Sequence, residues 1–161
     1  MSSACRPFSL RLSGPWNFEL RAVATKQWSD PVQIVPYTED LEDEVRNFNQ
    51  RLHAGGATGW SFPESHIPQF PKVGGRVPYQ ESFLAVHAGV VRGGYLLTHN
   101  QFALRGEEVE IACGPHYNVS EGLVDRAYAM MGVIQTQDAL RRQPLMYALG
   151  MGGWTRPWQS C

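Results

Sequence analysis

From Ser82 onward the hydrophobic period of the sequence changes twice, and that succession leaves few folds open to the chain. Ser82-Phe83-Leu84-Ala85-Val86-His87 and Val90-Val91-Arg92-Gly93-Gly94-Tyr95-Leu96-Leu97-Thr98 flank Ala88-Gly89, which reads as two strands joined by a tight hairpin turn. Residues 107–113 then alternate, with Val109, Ile111 and Cys113 on one face and Glu108 and Glu110 on the other. After a polar turn, Val119-Ser120-Glu121-Gly122, the spacing becomes helical. Ala127, Met130 and Ile134 form one stripe of a helix expected over residues 125–142, with Arg141 and Arg142 suited to its C-terminal end. Pro144 ends it, and residues 145–149 form a short apolar strand. A helical crossover between two strands favours their parallel pairing. The expected fold class is α+β, a mixed sheet with flanking helices.

Upstream of this region, residues 8–12 and 17–23 also alternate and are separated by Gly14-Pro15, which predicts an extra edge hairpin in a strand extension over residues 1–30. Gln33-Ile34-Val35 before Pro36 reads as another short strand. Thr38 caps a helix whose first turns carry Glu39, Asp40, Glu42 and Asp43, where negative charge suits the helix dipole. Leu41, Val45, Phe48 and Leu52 give it one buried face, and Gly55-Gly56 stop it. From residue 57 to 78 the pattern dissolves: Pro63, Pro68, Pro71 and Pro78, with Gly59, Gly74 and Gly75, forbid a regular helix or a central strand. Trp60, Phe62, Ile67 and Phe70 in this stretch are apolar, so it is expected to lie against the body, either as part of a substrate groove or as a cover over a core edge.

With 161 residues and 43% hydrophobic content, the chain is long enough for one domain with its own core. A formal net charge of −1 gives no general attraction to nucleic acid or to an anionic membrane. No apolar run approaches the roughly 20 residues that a spanning helix needs. Cys5, Cys113 and Cys161 are scattered and odd in number, which fits neither a disulfide framework nor a zinc site. Without a charged patch leading into an apolar run at the N-terminus, the expected address is cytoplasmic. No Gly-x-Ser-x-Gly elbow, Walker loop, Rossmann fingerprint or His-Glu-x-x-His is present.

A strand, turn and helix in this order can aim backbone N–H groups and the positive helix end at an anion, which suggests a pyrophosphate-bearing cofactor. Tyr37-Thr38-Glu39-Asp40 at the first helix, Phe83-Leu84-Ala85-Val86 with Val91-Arg92-Gly93-Gly94-Tyr95 in the hairpin, and residues 119–132 for the loop and helix together resemble the GNAT superfamily of N-acetyltransferases. The resemblance covers residues 31–153, with residues 154–161 as a tail. It implies acetyl-coenzyme A as cofactor and a small-molecule or peptide amine as acceptor. The family's pyrophosphate loop, Gln/Arg-x-x-Gly-x-Gly/Ala, falls in the register Val124-Asp125-Arg126-Ala127-Tyr128-Ala129, where Val124 replaces the polar residue and Ala127 the first glycine.

The implied cofactor-binding residues are therefore Val119, Gly122, Leu123, Val124, Asp125, Arg126, Ala127, Tyr128 and Ala129. The resemblance also implies a strand carboxylate as the base that takes the ammonium proton, for which Glu110 and Glu108 are the candidates. Both also fit as solvated charges on an exposed strand face. Tyr128 can stand for the family's thiolate-protonating tyrosine or serve as a core aromatic, and His116 and Tyr117 can shuttle a proton or be plain loop residues. Cys113 and the Met130-Met131 pair are expected in the core. Family members continue past the last strand with a further helix and strands. Here the expectation is a fold incomplete at its C-terminal end, whose open strand edge can pair with a second copy. A non-catalytic binding or assembly module is the competing reading.

Overall fold

Ala88 and Gly89 both adopt positive φ, 51° and 73°, so the turn between them matches the right-handed twist of its flanking strands. Arg105 and Gly106, at 54° and 87°, repeat the device one hairpin later. Together the two turns fold β2 (Tyr79–His87), β3 (Val90–Leu104) and β4 (Glu107–Cys113) into an antiparallel meander. The computed structural model describes residues 30–74, 76–114 and 118–147. The N-terminal hairpin expected over residues 8–23, His116 and Tyr117, and the end of the last strand lie outside the described residues.

The remaining elements are β1 (Gln33–Pro36), α1 (Glu42–Ala54), β5 (Val119–Ser120), α2 (Met131–Arg142) and β6 (Met146–Tyr147). β1 pairs antiparallel with β2, and β6 pairs parallel with β4 at Ala112↔Met146 and Cys113↔Tyr147, as the crossover predicts. The sheet runs β1-β2-β3-β4-β6, with β5 set against β3 at Gly93 and Gly94. Among the described residues the class is α+β, with a mixed, open six-stranded sheet and two helices. Among the described residues no helix is long and apolar enough to cross a membrane.

Each helix covers one face of the sheet. Val45, Phe48 and Leu52 of α1, all without solvent exposure, pack with Leu84, Val91, Leu96 and Val119. On the other face Ala139 of α2 packs with Phe83, Tyr95, Leu97 and Ala112, and Met131 with Ala85 and Tyr128. Burying each large apolar side chain stabilises by about 1.5–3 kcal/mol relative to exposure. Tyr95 also donates to Asp138 of α2 at 2.5 Å, and burial followed by that carboxylate raises its pKa above the ordinary tyrosine value.

Gly93 and Gly94 let the two layers approach the sheet closely. A Cβ at Gly94 would stand 2.7 Å from the Phe62 ring, and one at Gly93 would stand 2.4 Å from Gln135 Nε2. Gln135 is fully buried and donates to the Val119 carbonyl at 3.2 Å, which ties α2 to β5.

The proline-rich segment is anchored along its length. Asn49 Nδ2 donates to the Phe62 carbonyl and its Oδ1 accepts from the Phe62 N–H, both at 2.8 Å. Tyr37 donates to the Glu64 carbonyl, the His66 N–H to Glu42, and the Gln80 N–H to the Phe70 carbonyl at 2.7 Å. Phe62 completes the core beneath α1, so the segment is a cover over a core edge that also walls a cleft.

Four expectations are corrected. Thr38 makes no side-chain cap, and α1 begins at Glu42 after a 3-10 turn over Glu39–Leu41; Met130, expected in the core, is exposed. The strand expected to end at Thr98 continues to Leu104, where Arg105-Gly106 makes the turn. The helix expected over residues 125–142 begins at Met131: residues Glu121–Leu123 and Arg126–Tyr128 form separate 3-10 turns, the second capped by Asp125 accepting from the Ala127 N–H. Capping at Asp125 is real, but it closes a single turn, and the chain bends again before α2.

Candidate functional site

The long reach of β3 gathers a polar cluster near the open end of the sheet. His99, opposite Tyr79 on β2 and Ala112 on β4, is only 5% exposed. Its Nδ1 lies 2.8 Å from Glu110 Oε1 and its Nε2 lies 3.0 Å from Glu81 Oε2. Tyr79 stacks on the imidazole at 4.3 Å with an 8° interplanar angle, and its hydroxyl donates to the same Glu110 Oε1 at 3.0 Å. Lys72 places its ammonium 4.3 Å from the Tyr79 ring centroid. Burial, then the Glu110 hydrogen bond, raises the Tyr79 pKa from its ordinary value. Glu110, itself exposed, is thus one partner in a network of hydrogen bonds, whereas Glu108, farther out on the same face, accepts from Gln101 at 2.7 Å.

Glu81 also lines a cleft of about 410 Å³ at the β2 edge, with Tyr37, His66, Phe83 and Arg142 among its walls. β1 ends at Pro36, which leaves this edge to the proline-rich segment. Arg142 lies over the Phe83 ring at 4.0 Å while pairing with Asp138 at 2.6 Å.

The loop ahead of α2 turns Glu121 and Tyr128 inward. Glu121 lies beneath it with its side chain 7% exposed, held by Arg51 of α1 at 2.9 Å and Arg92 of β3 at 2.7 Å. The Arg92 guanidinium also covers the Tyr128 ring at 4.8 Å, and Tyr128 is buried beside Met131. Several N–H groups of the loop are engaged locally: Val124 and Asp125 donate to the Glu121 carbonyl, Ala127 to the Asp125 side chain, Tyr128 to the Asp125 carbonyl and Ala129 to the Arg126 carbonyl. Gly122 has its place because a Cβ there would stand 2.5 Å from the Tyr128 carbonyl oxygen. Val119 is buried in the core, Leu123 is half exposed and Arg126 is exposed.

The groups that the helix geometry leaves open are one turn farther on. α2 has no side-chain cap at Met130 and no acidic residue in its first turn; Met131 is fully buried, so of its first two N–H groups only that of the half-buried Gly132 is placed to meet a ligand. Asn118 braces this turn, reaching the Gly132 carbonyl at 3.3 Å and Thr136 Oγ1 at 3.2 Å.

Sequence reasoning singled out Glu110 but not His99, Glu81 or Tyr79. Continuing the β3 alternation past Leu97 to His99 and Gln101 would have placed His99 on the Glu110 face. It also took Glu121 for part of a polar turn, without the buried ion pairs. Cys113 is buried as expected, and among the described residues no group of histidines, cysteines and carboxylates is arranged to hold a metal ion. No family model, curated protein or solved structure matches the chain.

Proposed function

We propose that the chain is a GNAT-like N-acyltransferase domain that takes its acyl group from acetyl-coenzyme A and delivers it to an amine. The observation that carries this reading is that the uncapped start of α2 and the Glu110 cluster lie on the same face of the sheet. Roughly 12 Å of helix rise separates Met131 from Ala139, which packs beside Ala112. An extended pantetheine arm covers a distance of that order. The sheet order and the parallel β4–β6 pair support the same reading.

Coenzyme A supplies an activated thioester. In this reading the half-buried Gly132 N–H and the positive end of α2 meet its pyrophosphate, with the exposed Arg126 nearby in sequence. The engaged N–H groups between Val124 and Ala129 do not fit that task, which shifts the cradle from the loop to the first turn of α2. Glu110 takes one proton from the acceptor ammonium, the amine nitrogen bonds to the acyl carbon, and the C–S bond breaks. The second nitrogen proton leaves with the coenzyme A thiol, so one proton is released overall.

Calorimetric titration with acetyl-coenzyme A tests the first step, and absence of binding at millimolar ligand sinks it. Glu110→Gln should then lower turnover with little change in affinity; unchanged turnover removes Glu110 from the base role. A second reading, a non-catalytic module that pairs with another copy through the edge of β6, is favoured by those engaged loop N–H groups. It predicts no binding in the same titration.

A further inference from the structure

We infer that His99 is a positioning residue for the proton transfer, holding Glu110 so that one carboxylate oxygen is occupied and the other is presented; this rests on the acyltransferase reading. Glu110 Oε1 receives two contacts, from His99 Nδ1 at 2.8 Å and from the Tyr79 hydroxyl at 3.0 Å. A carboxylate oxygen has two lone-pair directions, so Oε1 is fully engaged and Oε2 is left to take a proton. The Glu110 side chain is 44% exposed, which gives that oxygen access to an incoming ammonium.

The imidazole is itself fixed from three sides. Each ring nitrogen faces one carboxylate, Nδ1 that of Glu110 and Nε2 that of Glu81, so the ring cannot turn without losing a contact. The Tyr79 ring holds the plane of the imidazole, and burial excludes competing water. Glu81 sets the orientation of His99 and His99 sets that of Glu110, without His99 touching a reactant. A base whose free oxygen is already aimed loses less rotamer freedom on reaching the transition state, so the effect falls on kcat.

Two substitutions at one site separate this from a packing role. The amide nitrogen of Asn falls near the place of Nδ1 and that of Gln near the place of Nε2. His99→Asn therefore keeps a donor for Glu110, whereas His99→Gln keeps one for Glu81, and both remove the stacked ring. With coenzyme A thiol release followed on a panel of small primary amines, His99→Asn should hold kcat within about threefold of the parent, and His99→Gln should lower it by roughly tenfold or more. The KM for acetyl-coenzyme A should stay the same in both. Equal losses in the two variants, or losses carried by that KM, overturn the positioning role.

Should both variants fail to fold, Tyr79→Phe decides, because it keeps the stack and removes one of the two contacts on Oε1. It should lower kcat several-fold at constant KM, and an unchanged kcat overturns the inference. A parent protein that releases no thiol with any amine brings down the acyltransferase reading and this inference with it. An active parent with equal His99 variants removes His99 alone.

Discussion

Replacing Glu121 with glutamine tests whether the carboxylate beneath the α2 loop is a structural keystone. In the native protein two guanidinium groups share it, Arg51 at 2.9 Å and Arg92 at 2.7 Å, with the Glu121 side chain 7% exposed. Glutamine has almost the same shape, but it offers one accepting oxygen and turns an amide NH2 toward the other arginine. One charge-assisted hydrogen bond is lost, worth about 1.5–3 kcal/mol, and the other becomes a weaker neutral-acceptor bond.

Removing one partner from a buried ion pair costs about 3–5 kcal/mol. Two features of this site pull the estimate to the lower end. Arg51 keeps its 2.6 Å bond to the Val91 carbonyl, and both arginines are partly exposed, so water can reach them. The expected loss is about 3 kcal/mol, or roughly 6–12 °C in thermal midpoint for a domain of this size. Urea unfolding followed by circular dichroism measures it as a lower midpoint at unchanged slope. A loss below about 1 kcal/mol would place Glu121 among ordinary surface pairs and refute the reasoning.

Gly94→Ala should cost about 1–3 kcal/mol, because the new Cβ meets the Phe62 ring at 2.7 Å and Asn49 holds the Phe62 backbone in place. Differential scanning calorimetry reads this as a lower midpoint, and an unchanged midpoint counts against the close packing described. Burial, then Glu42, pushes the Tyr37 pKa from 10.0 to about 12. A raised folded-state value gives stability that is whole below pH 10 and lost as pH climbs toward 12, so Tyr37→Phe should flatten that alkaline decline. If the decline keeps its slope in the variant, another group causes it. Hydrogen bonds from the His66 backbone N–H and side chain hold the Glu42 carboxyl below its ordinary 4.5. Its contribution is therefore present above that pH and lost below it, and Glu42→Gln should make the acid limb of a stability titration shallower.

The sequence made local patterns legible and left non-local ones hidden. Val45, Phe48 and Leu52 recur at helical spacing, and all three are buried on one face of α1. The parallel partner of β4 followed from a crossover rule that holds whatever the side chains are. By contrast, Tyr79, Glu81, His99 and Glu110 come together only through the registers of two hairpins, which no single stretch of sequence encodes. The start of α2 was misjudged for a related reason. Asp125 carries a proper capping signal, but tertiary packing of Tyr128 and Met131 decides where the long helix begins. Glu121 was hidden for the same cause: its arginine partners lie 70 and 29 residues away in sequence.

The seam between β4 and β6 also sets where the native state opens first. Among the described residues its register covers Ala112 and Cys113, tied by the Ala112 N–H to the Leu145 carbonyl and the Gly114 N–H to the Tyr147 carbonyl. The β2–β3 ladder, in contrast, extends from Tyr79 to His87. Sub-global opening free energies follow the size of the unit released. In amide hydrogen exchange Ala112 and Gly114 should therefore trade their protons well before Leu84 or Tyr95, although Ala112 is fully buried. Burial would hide this amide from solvent while the short ladder leaves it kinetically near the surface.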